Sequence, residues 1–287
     1  MEKIPCIKKQ NTPKDHHYVH ESYQKRFLSE AGQMFVLTKE YKFQVKLKKP
    51  GQICYVSNLN TLKIKNQSFV EIEKYYGQIE GEIARLFEKI EDYECKGLFG
   101  EAFKDKYGQL LLKFFIAKMF WRNPNQSDLA REYIDNILRL YDSADNKAKK
   151  LIKYDRSLIK FLYRHKEKDW SRKVIQFILL PILTFKIFDT KKSIRSYVSP
   201  DKSFITCDNP VIMTDSIEKL FSFEHFLFPL DKFRVIANAD IELEKFNIDL
   251  INLKVALNAK KWAMGSNKEY LEVLGKGLRA ELCKLNS

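Results

Sequence analysis

From Ser68 to Glu94 the chain reads "SFVEIEKYYGQIEGEIARLFEKIEDYE". Ile72, Tyr76, Ile79, Ile83, Leu86, Phe87 and Ile90 recur there at three- and four-residue steps. Such a period predicts a long helix with one apolar stripe. That stripe must be buried against a second layer, so this segment organises whatever surrounds it. Further helical patterns follow in "KYGQLLLKFFIAKMFWRN", ending near Pro124, and in "SDLAREYIDNILRLY", with Ser127 as the expected N-cap. A third helix is expected over Asn146–Lys173, then a buried, proline-kinked helix in "VIQFILLPILTFKIF". The last stretch is interrupted by Gln176, Pro181 and Lys186 and is shorter than the ~20 apolar residues of a membrane span.

Short β-type runs flank this helical middle. "QMFVLTK", "YKFQVKL" and "QICYVSN" precede it, and "SIRSYVS", "SFITCDNPVIM" and "FLFPLDKFRVIAN" follow it, before two closing helical patterns. The expected architecture is α+β: one domain over residues 1–287, with a helical middle packed on a small mixed or antiparallel sheet built from both ends. Its N-terminal sheet region spans about 14–65, its helical region about 68–190 and its C-terminal strand and helix region about 193–285. Five scattered cysteines with no C-x-x-C pair argue against a zinc knuckle and suit a reducing cytosol. No apolar leader opens the chain, so a cytoplasmic protein is expected.

Charge points toward a partner. The 51 Lys+Arg exceed the 37 Asp+Glu by 14, a surplus that favours polyanions such as nucleic acid or an acidic membrane surface. Residues 146–173 hold eleven basic and three acidic side chains. Lys149, Lys153, Arg156, Lys160 and Arg164 would form a continuous basic stripe on one helix, able to track a phosphate backbone, with Leu151, Leu158 and Leu162 facing the core. A merely solvated face explains the same spacing.

Four groups could carry chemistry. Glu73 and Glu80 lie seven residues apart, so both carboxylates project from nearly the same helix face. Such a pair can hold a divalent cation or flank an apolar stripe in solvent. In "FITCDNPV", Asp208 and Asn209 sit at a strand end, where a catalytic or metal-binding group could be held, although the spacing alone favours an ordinary Asx turn. Arg122, after Trp121, could grip a phosphate in a bidentate fork or answer a buried acid. "DHHYVH" places His16, His17 and His20 together. If Asp15–Val19 is extended, His16 and His17 point to opposite sides. If the helix turn begins at His17, His17 and His20 share a face.

Several of these fragments, in order, resemble one family. "HHYVHESYQKRF" is similar to the opening signature H-H-Y-V-P-x-x-Y-L-x-x-F of the domain-of-unknown-function family 4238. "EKYYGQIEGE" resembles its paired-glutamate helix, "FIAKMFWRNP" its Arg-x-Pro segment and "SFITCDNPV" its F-I-T-S-D-N-P-V strand. "FPLDKFRVI" and "LNAKKWAMG" resemble its Pro-Leu strand and closing Asn-rich helix, so the likeness runs from about His16 to Gly265. His20 stands where the family has proline, Gln24 where leucine is common, and Cys207 where serine precedes the Asp. The resemblance singles out His17, Tyr23, Glu73, Glu80, Arg122, Asp208 and Asn209, and it implies no reaction.

Three functions are carried forward. In the first, a metal-dependent nuclease acting on RNA or DNA, such as a bacterial defence effector, would gather Glu73, Glu80 and Asp208 around Mg²⁺ or Mn²⁺. His17, Glu80, Arg122 and Asp208 would then do the catalysis. The second is a non-enzymatic nucleic-acid-binding or sensor protein with a buried ion network. The third is an enzyme on a small nucleotide, though no G-x-x-x-x-G-K-[ST] or G-x-G-x-x-G cradle occurs.

Overall fold

A computed structural model of the chain describes residues 14–40, 43–65, 67–96, 104–199, 201–238 and 247–285. The N-terminal part contains β1 (Asp15–His17), α1 (Glu21–Lys25), β2 (Met34–Thr38), β3 (Gln44–Lys48), β4 (Tyr55–Ser57), β5 (Leu62–Ile64) and β6 (Gln67–Phe69). The middle is helical: α2 (Glu71–Cys95), α3 (Lys106–Arg122), α4 (Ser127–Asp135), α5 (Ile137–Ser143), α6 (Asn146–Ile152), α7 (Arg156–Arg164), α8 (Asp169–Val174) and α9 (Leu180–Thr184). The C-terminal part holds β7 (Ile194–Val198), β8 (Thr206–Cys207), β9 (Ile212–Met213), α10 (Ile217–Phe221), β10 (Phe226–Asp231), β11 (Arg234–Asn238), α11 (Ile248–Asn258), β12 (Trp262–Gly265) and α12 (Lys268–Leu285). The fold is α+β.

One antiparallel sheet, ordered β3-β2-β12-β8, does join the two ends of the chain. Side chains alternate across a strand. Val36 and Met264 therefore enter the main core, while Leu37, Ala263 and Cys207 enter a second core with Val255 and Ala256 of α11 and Leu271 and Leu278 of α12. Burial on both faces explains why "MFVLT" is nearly all apolar. A second antiparallel sheet, β7-β11-β10-β9, divides its side chains in the same way: Phe226, Phe228 and Ile236 to the main core, Leu227, Val235 and Ala237 to the other. The expected sheet built from both ends is present, and β7, β9, β10 and β11 form a second one among themselves. β4 pairs with β1 rather than extending the β2–β3 hairpin.

The long helix α2 forms as its periodicity predicts, burying Ile72, Tyr76, Ile83, Leu86, Phe87 and Ile90. Other helices are shorter than their patterns suggest. Asn136 separates α4 from α5, and Ser127 is the first helical residue of α4, not its cap; its hydroxyl donates to Pro124 O at 2.7 Å. The single helix expected over residues 146–173 is broken at Lys153, whose φ of 57° is left-handed, so the basic residues do not share one continuous stripe. Ala148, Ile152, Ile159 and Leu162 face the core, whereas Leu151 and Leu158, expected inside, are exposed. The proline segment is buried as expected, but it passes from α8 through a π-helical turn over Ile175–Leu179 into α9. Pro181 has no N–H for the carbonyl of Phe177 four residues before it. The Tyr76 hydroxyl donates to that carbonyl instead, at 3.0 Å. Among the described residues, no helix is long and apolar enough to cross a membrane.

Tyr23 couples the two sheets. Its buried hydroxyl donates to Pro229 O on β10 at 2.6 Å and accepts from Thr206 Oγ1 on β8 at 2.7 Å, while its ring stacks on Phe228 at 5.4 Å. Removing the hydroxyl strands both partners out of water. Tyr23→Phe is therefore expected to lower folding stability by about 1–3 kcal/mol, read from the urea midpoint at unchanged slope.

Candidate functional site

Helix α3 carries "FFIAKMFWR" through the core, and every residue from Phe115 to Arg122 is buried, Lys118 and Arg122 included. These cations are four residues apart and lie on one face. A charge in such surroundings is tolerated only with a partner. The paired glutamates of α2 provide it. Glu80 Oε1 accepts from Arg122 Nη1 at 2.5 Å and from Lys118 Nζ at 3.2 Å. Its other oxygen meets His20 Nε2 at 2.6 Å. Glu73 Oε2 lies 3.8 Å from Arg122 Nη2 and accepts from Asn60 Nδ2 at 2.5 Å.

Tyr76, one turn before Glu80, has the Lys118 ammonium 4.1 Å and the Arg122 guanidinium 4.5 Å from its ring centroid. The polar string extends outward at both ends. Asn60 N donates to His16 Nδ1 at 2.8 Å; His20 Nδ1 accepts from Ser22 N at 3.3 Å and lies 2.6 Å from Ser22 Oγ. With Nδ1 accepting from that N–H, the His20 proton sits on Nε2 and points at Glu80. The site is layered: Lys118 and Arg122 lie at the bottom with about 1% of their side chains exposed, while Glu80, His20 and Glu73 form a rim at 13%, 27% and 32%. Arg122 Nε is buried with no hydrogen-bond partner.

Electrostatics follow from this layering. Burial alone would raise the Glu80 carboxyl, but the His20 hydrogen bond and the charges of Lys118 and Arg122 outweigh it and hold the group well below the usual carboxylate range. Burial draws Lys118 down to about 7, with Glu80 opposing the fall and Arg122 adding to it. The cluster is thus a nearly balanced set of charges whose lysine titrates close to neutrality.

Asp208 belongs to a different arrangement. Its Oδ1 and Oδ2 accept from the backbone N–H groups of Lys260 and Lys261 at 2.8 and 2.7 Å, closing the turn between α11 and β12 onto the end of β8. Its carbonyl accepts from Asn123 Nδ2 at 2.7 Å, and Asn209 Oδ1 lies 3.2 Å from the same nitrogen. Burial raises the Asp208 carboxyl despite those N–H bonds. Glu73, Glu80 and Asp208 were expected to share a cation. Among the described residues no group of three His, Cys, Asp or Glu side chains is placed to hold one. The reason is physical: Glu80 is filled by cations already inside the fold, and Asp208 by backbone donors.

Residues 15–269 match the profile of the family described as "Protein of unknown function (DUF4238)". The chain belongs to that family. No curated protein and no solved structure matches it significantly.

Of the positions read from the family signature, Glu73, Glu80 and Arg122 do meet, and Asp208 and Asn209 meet the next residue, Asn123. His17 is not among them. Strand β1 is extended, so His16 is buried and His17 faces the other way, its Nε2 3.0 Å from Gly51 O. The imidazole on Glu80 is His20. Lys118, Tyr76 and Asn60 were not singled out from the sequence. Lys118 had a signal, a lysine flanked by Phe115, Ile116, Ala117, Met119, Phe120 and Trp121, which calls for a polar partner from another element.

The two ionisations act in opposite pH windows. Glu80 has a depressed folded pKa, so its contribution is complete above its unfolded value near ~4.3 and is lost as pH falls through the folded value. Lys118 falls from an unfolded value near ~10.4 to about 7. Above pH ~7 the unfolded chain therefore holds a proton that the folded chain has released, and stability rises toward pH ~10. Glu80→Gln should cost about 3 kcal/mol at neutral pH, with the deficit shrinking below pH ~4. Lys118→Met should flatten the alkaline rise. Urea unfolding across the pH range reads both.

Proposed function

We propose that this protein binds single-stranded nucleic acid without cutting it, using the face formed by α6, α7 and α8, while the Glu80 cluster serves as a structural clamp. The observation that carries this reading is an aromatic run beside exposed lysine and arginine in the lysine- and arginine-rich segment 146–173. Phe161, 47% exposed, lies with its ring 4.4 Å from His165 and 6.0 Å from the half-buried Trp170. Leu158 adds an exposed apolar neighbour one turn earlier. Lys160 and Arg164, four residues apart on α7, and Lys168 beyond it are exposed around these rings. Aromatic faces amid lysine and arginine suit splayed bases and a phosphate chain, because any base can stack and each phosphate can pair.

The five residues expected to bind nucleic acid take different parts. Arg156 forms a double hydrogen bond with Asp142 at 2.7 and 2.8 Å, and Lys149 donates to Asp142 O at 3.1 Å, so these two stiffen the join between α5 and α7. Lys153 closes α6, leaving Lys160 and Arg164 as the strand-facing pair. Hydrolysis would need Glu80 to release its three internal partners before it could hold Mg²⁺ or Mn²⁺ or activate water. Buried free thiols at Cys54 and Cys207 suit a reducing, cytoplasmic setting.

Fluorescence anisotropy with labelled single-stranded RNA and DNA tests the proposal. Phe161→Ala should weaken binding about 5- to 100-fold, the range for losing one stacked base. Each of Lys160→Ala and Arg164→Ala should flatten the salt dependence by about one unit of log–log slope. RNA cleavage in Mn²⁺ that disappears in Glu80→Gln would replace this reading with the hydrolytic one. Binding to phosphatidylserine vesicles but to no oligonucleotide would reassign the face to a membrane surface.

A further inference from the structure

The rim of the Glu80 cluster carries a side chain that the clamp does not use. Ser22 is exposed at the start of α1, and its Oγ lies 2.6 Å from His20 Nδ1. That nitrogen also accepts from Ser22 N at 3.3 Å, so it holds no proton of its own and the hydroxyl is the donor. On the far side of the ring, Nε2 carries the imidazole proton and gives it to Glu80 Oε2 at 2.6 Å. The other Glu80 oxygen is held by Arg122 and Lys118. A hydroxyl, a neutral imidazole with its lone pair toward that hydroxyl, and a carboxylate fixing the tautomer therefore follow one another. Capping the helix needs only the Ser22 N–H; the hydroxyl contact is additional.

A serine is activated for acyl transfer by a base on the nucleophile and an orienting acid on the base. Such relays are recognised by geometry and role rather than by position in the chain. Here Nδ1 is the accepting nitrogen and Nε2 the held one. Space for a reactant lies beside the hydroxyl. Ser22 lines a hollow of about 430 Å³ together with Lys25, Arg26, Lys232 and Phe233. Lys25, three residues on, shares the helical face of Ser22; its side chain is 57% exposed, with the ammonium 2.8 Å from Glu21 Oε1. Charged walls suit a short acyl group and a polar alcohol better than a long hydrocarbon chain.

We propose that Ser22 is the nucleophile of a short-chain carboxylic ester hydrolase, with His20 as its base and Glu80 as the positioning residue. Ser22 Oγ bonds to the carbonyl carbon while its proton passes to His20 Nδ1, and the ring, now cationic, faces Glu80. Lys25 puts positive charge beside the oxygen that becomes an oxyanion. The tetrahedral adduct collapses, the ester C–O bond breaks, and the leaving alcohol takes the proton from Nδ1. Water then adds to the acyl-serine in the same way: its proton goes to Nδ1 and returns to Ser22 Oγ as the carboxylic acid departs. Glu80 keeps its three internal partners throughout, so the relay and the clamp coexist. The assignment draws on no residue of the nucleic-acid face.

A fluorophosphonate probe and p-nitrophenyl acetate test this on the full chain. The probe should form a Ser22 Oγ–P bond with loss of fluoride, located by peptide mass spectrometry, and the ester should be turned over. Ser22→Ala removes an exposed hydroxyl and keeps the cap, so labelling and turnover should vanish at an unchanged thermal midpoint. His20→Asn retains a capping oxygen but no base, and should slow labelling about 100-fold or more. Lys25→Ala should slow turnover roughly two- to five-fold. Glu80→Gln, measured below its melting temperature, should move the acid limb of the labelling rate to lower pH, because the imidazolium loses its carboxylate. A purely structural loss would scale that rate equally at every pH. Failure of the probe to modify Ser22 in the folded parent overturns the proposal, as does labelling of His20→Asn at the parent rate. Turnover that persists in Ser22→Ala places hydrolysis elsewhere and overturns it too. An unshifted profile in Glu80→Gln overturns the role given to Glu80, and an unchanged rate in Lys25→Ala the role given to Lys25.

Discussion

Lys118 and Arg122, two of the three cations that α3 buries, set the terms for the rest of this protein. Lys118 and Arg122 cannot turn outward without pulling Phe115, Ile116, Met119 and Phe120 out of the core. An acid must come to them, and α2 brings Glu80 with Glu73 two turns away. That meeting fixes how α2 slides and rotates against α3, because a one-residue shift would turn the carboxylates about 100° away. Tyr76 is drawn into the same contact. Its ring receives both cations and its hydroxyl donates to the Phe177 carbonyl, which Pro181 cannot serve, so the ion cluster is tied to the π-helical turn before α9.

The N-terminal segment closes the cluster from above. β1 buries His16 against the backbone of Asn60, and the start of α1 delivers His20 to Glu80. One turn later Tyr23 reaches between the two sheets. A few residues near the N-terminus thus connect the helical layer to both sheets. Asp208 does comparable work at the far side, closing the turn into β12 with two backbone bonds. A carboxylate that ties loops and one that satisfies buried cations share a chemical character with catalytic acids, yet each already spends its oxygens within the fold.

The nucleic-acid face proposed for this member of the DUF4238 family uses none of those engaged carboxylates. The α7 face has an exposed ring at Phe161 and exposed cations at Lys160 and Arg164. Charge and apolar area are left available to a partner there, and that availability separates the face from the Glu80 cluster. Polar groups fully matched inside a protein stabilise it; those matched only partly, or from the surface, can be exchanged for a ligand.

Local patterning determined much of the architecture. The stripe from Ile72 to Ile90 specified α2, the β-type runs at either end specified an α+β fold, and Pro181 marked an irregular helix. The spacing of Glu73 and Glu80, with Arg122 at a helix end, was enough to flag three residues that meet. Tertiary structure decided the rest, because these outcomes depend on partners distant in sequence. The break at Lys153 turned an apparent basic stripe into two helices, and strand direction turned His17 away. Whether a carboxylate is free to hold a metal or is already engaged by an ammonium, a guanidinium or an amide N–H depends on what packs beside it. No spacing along a single segment records that.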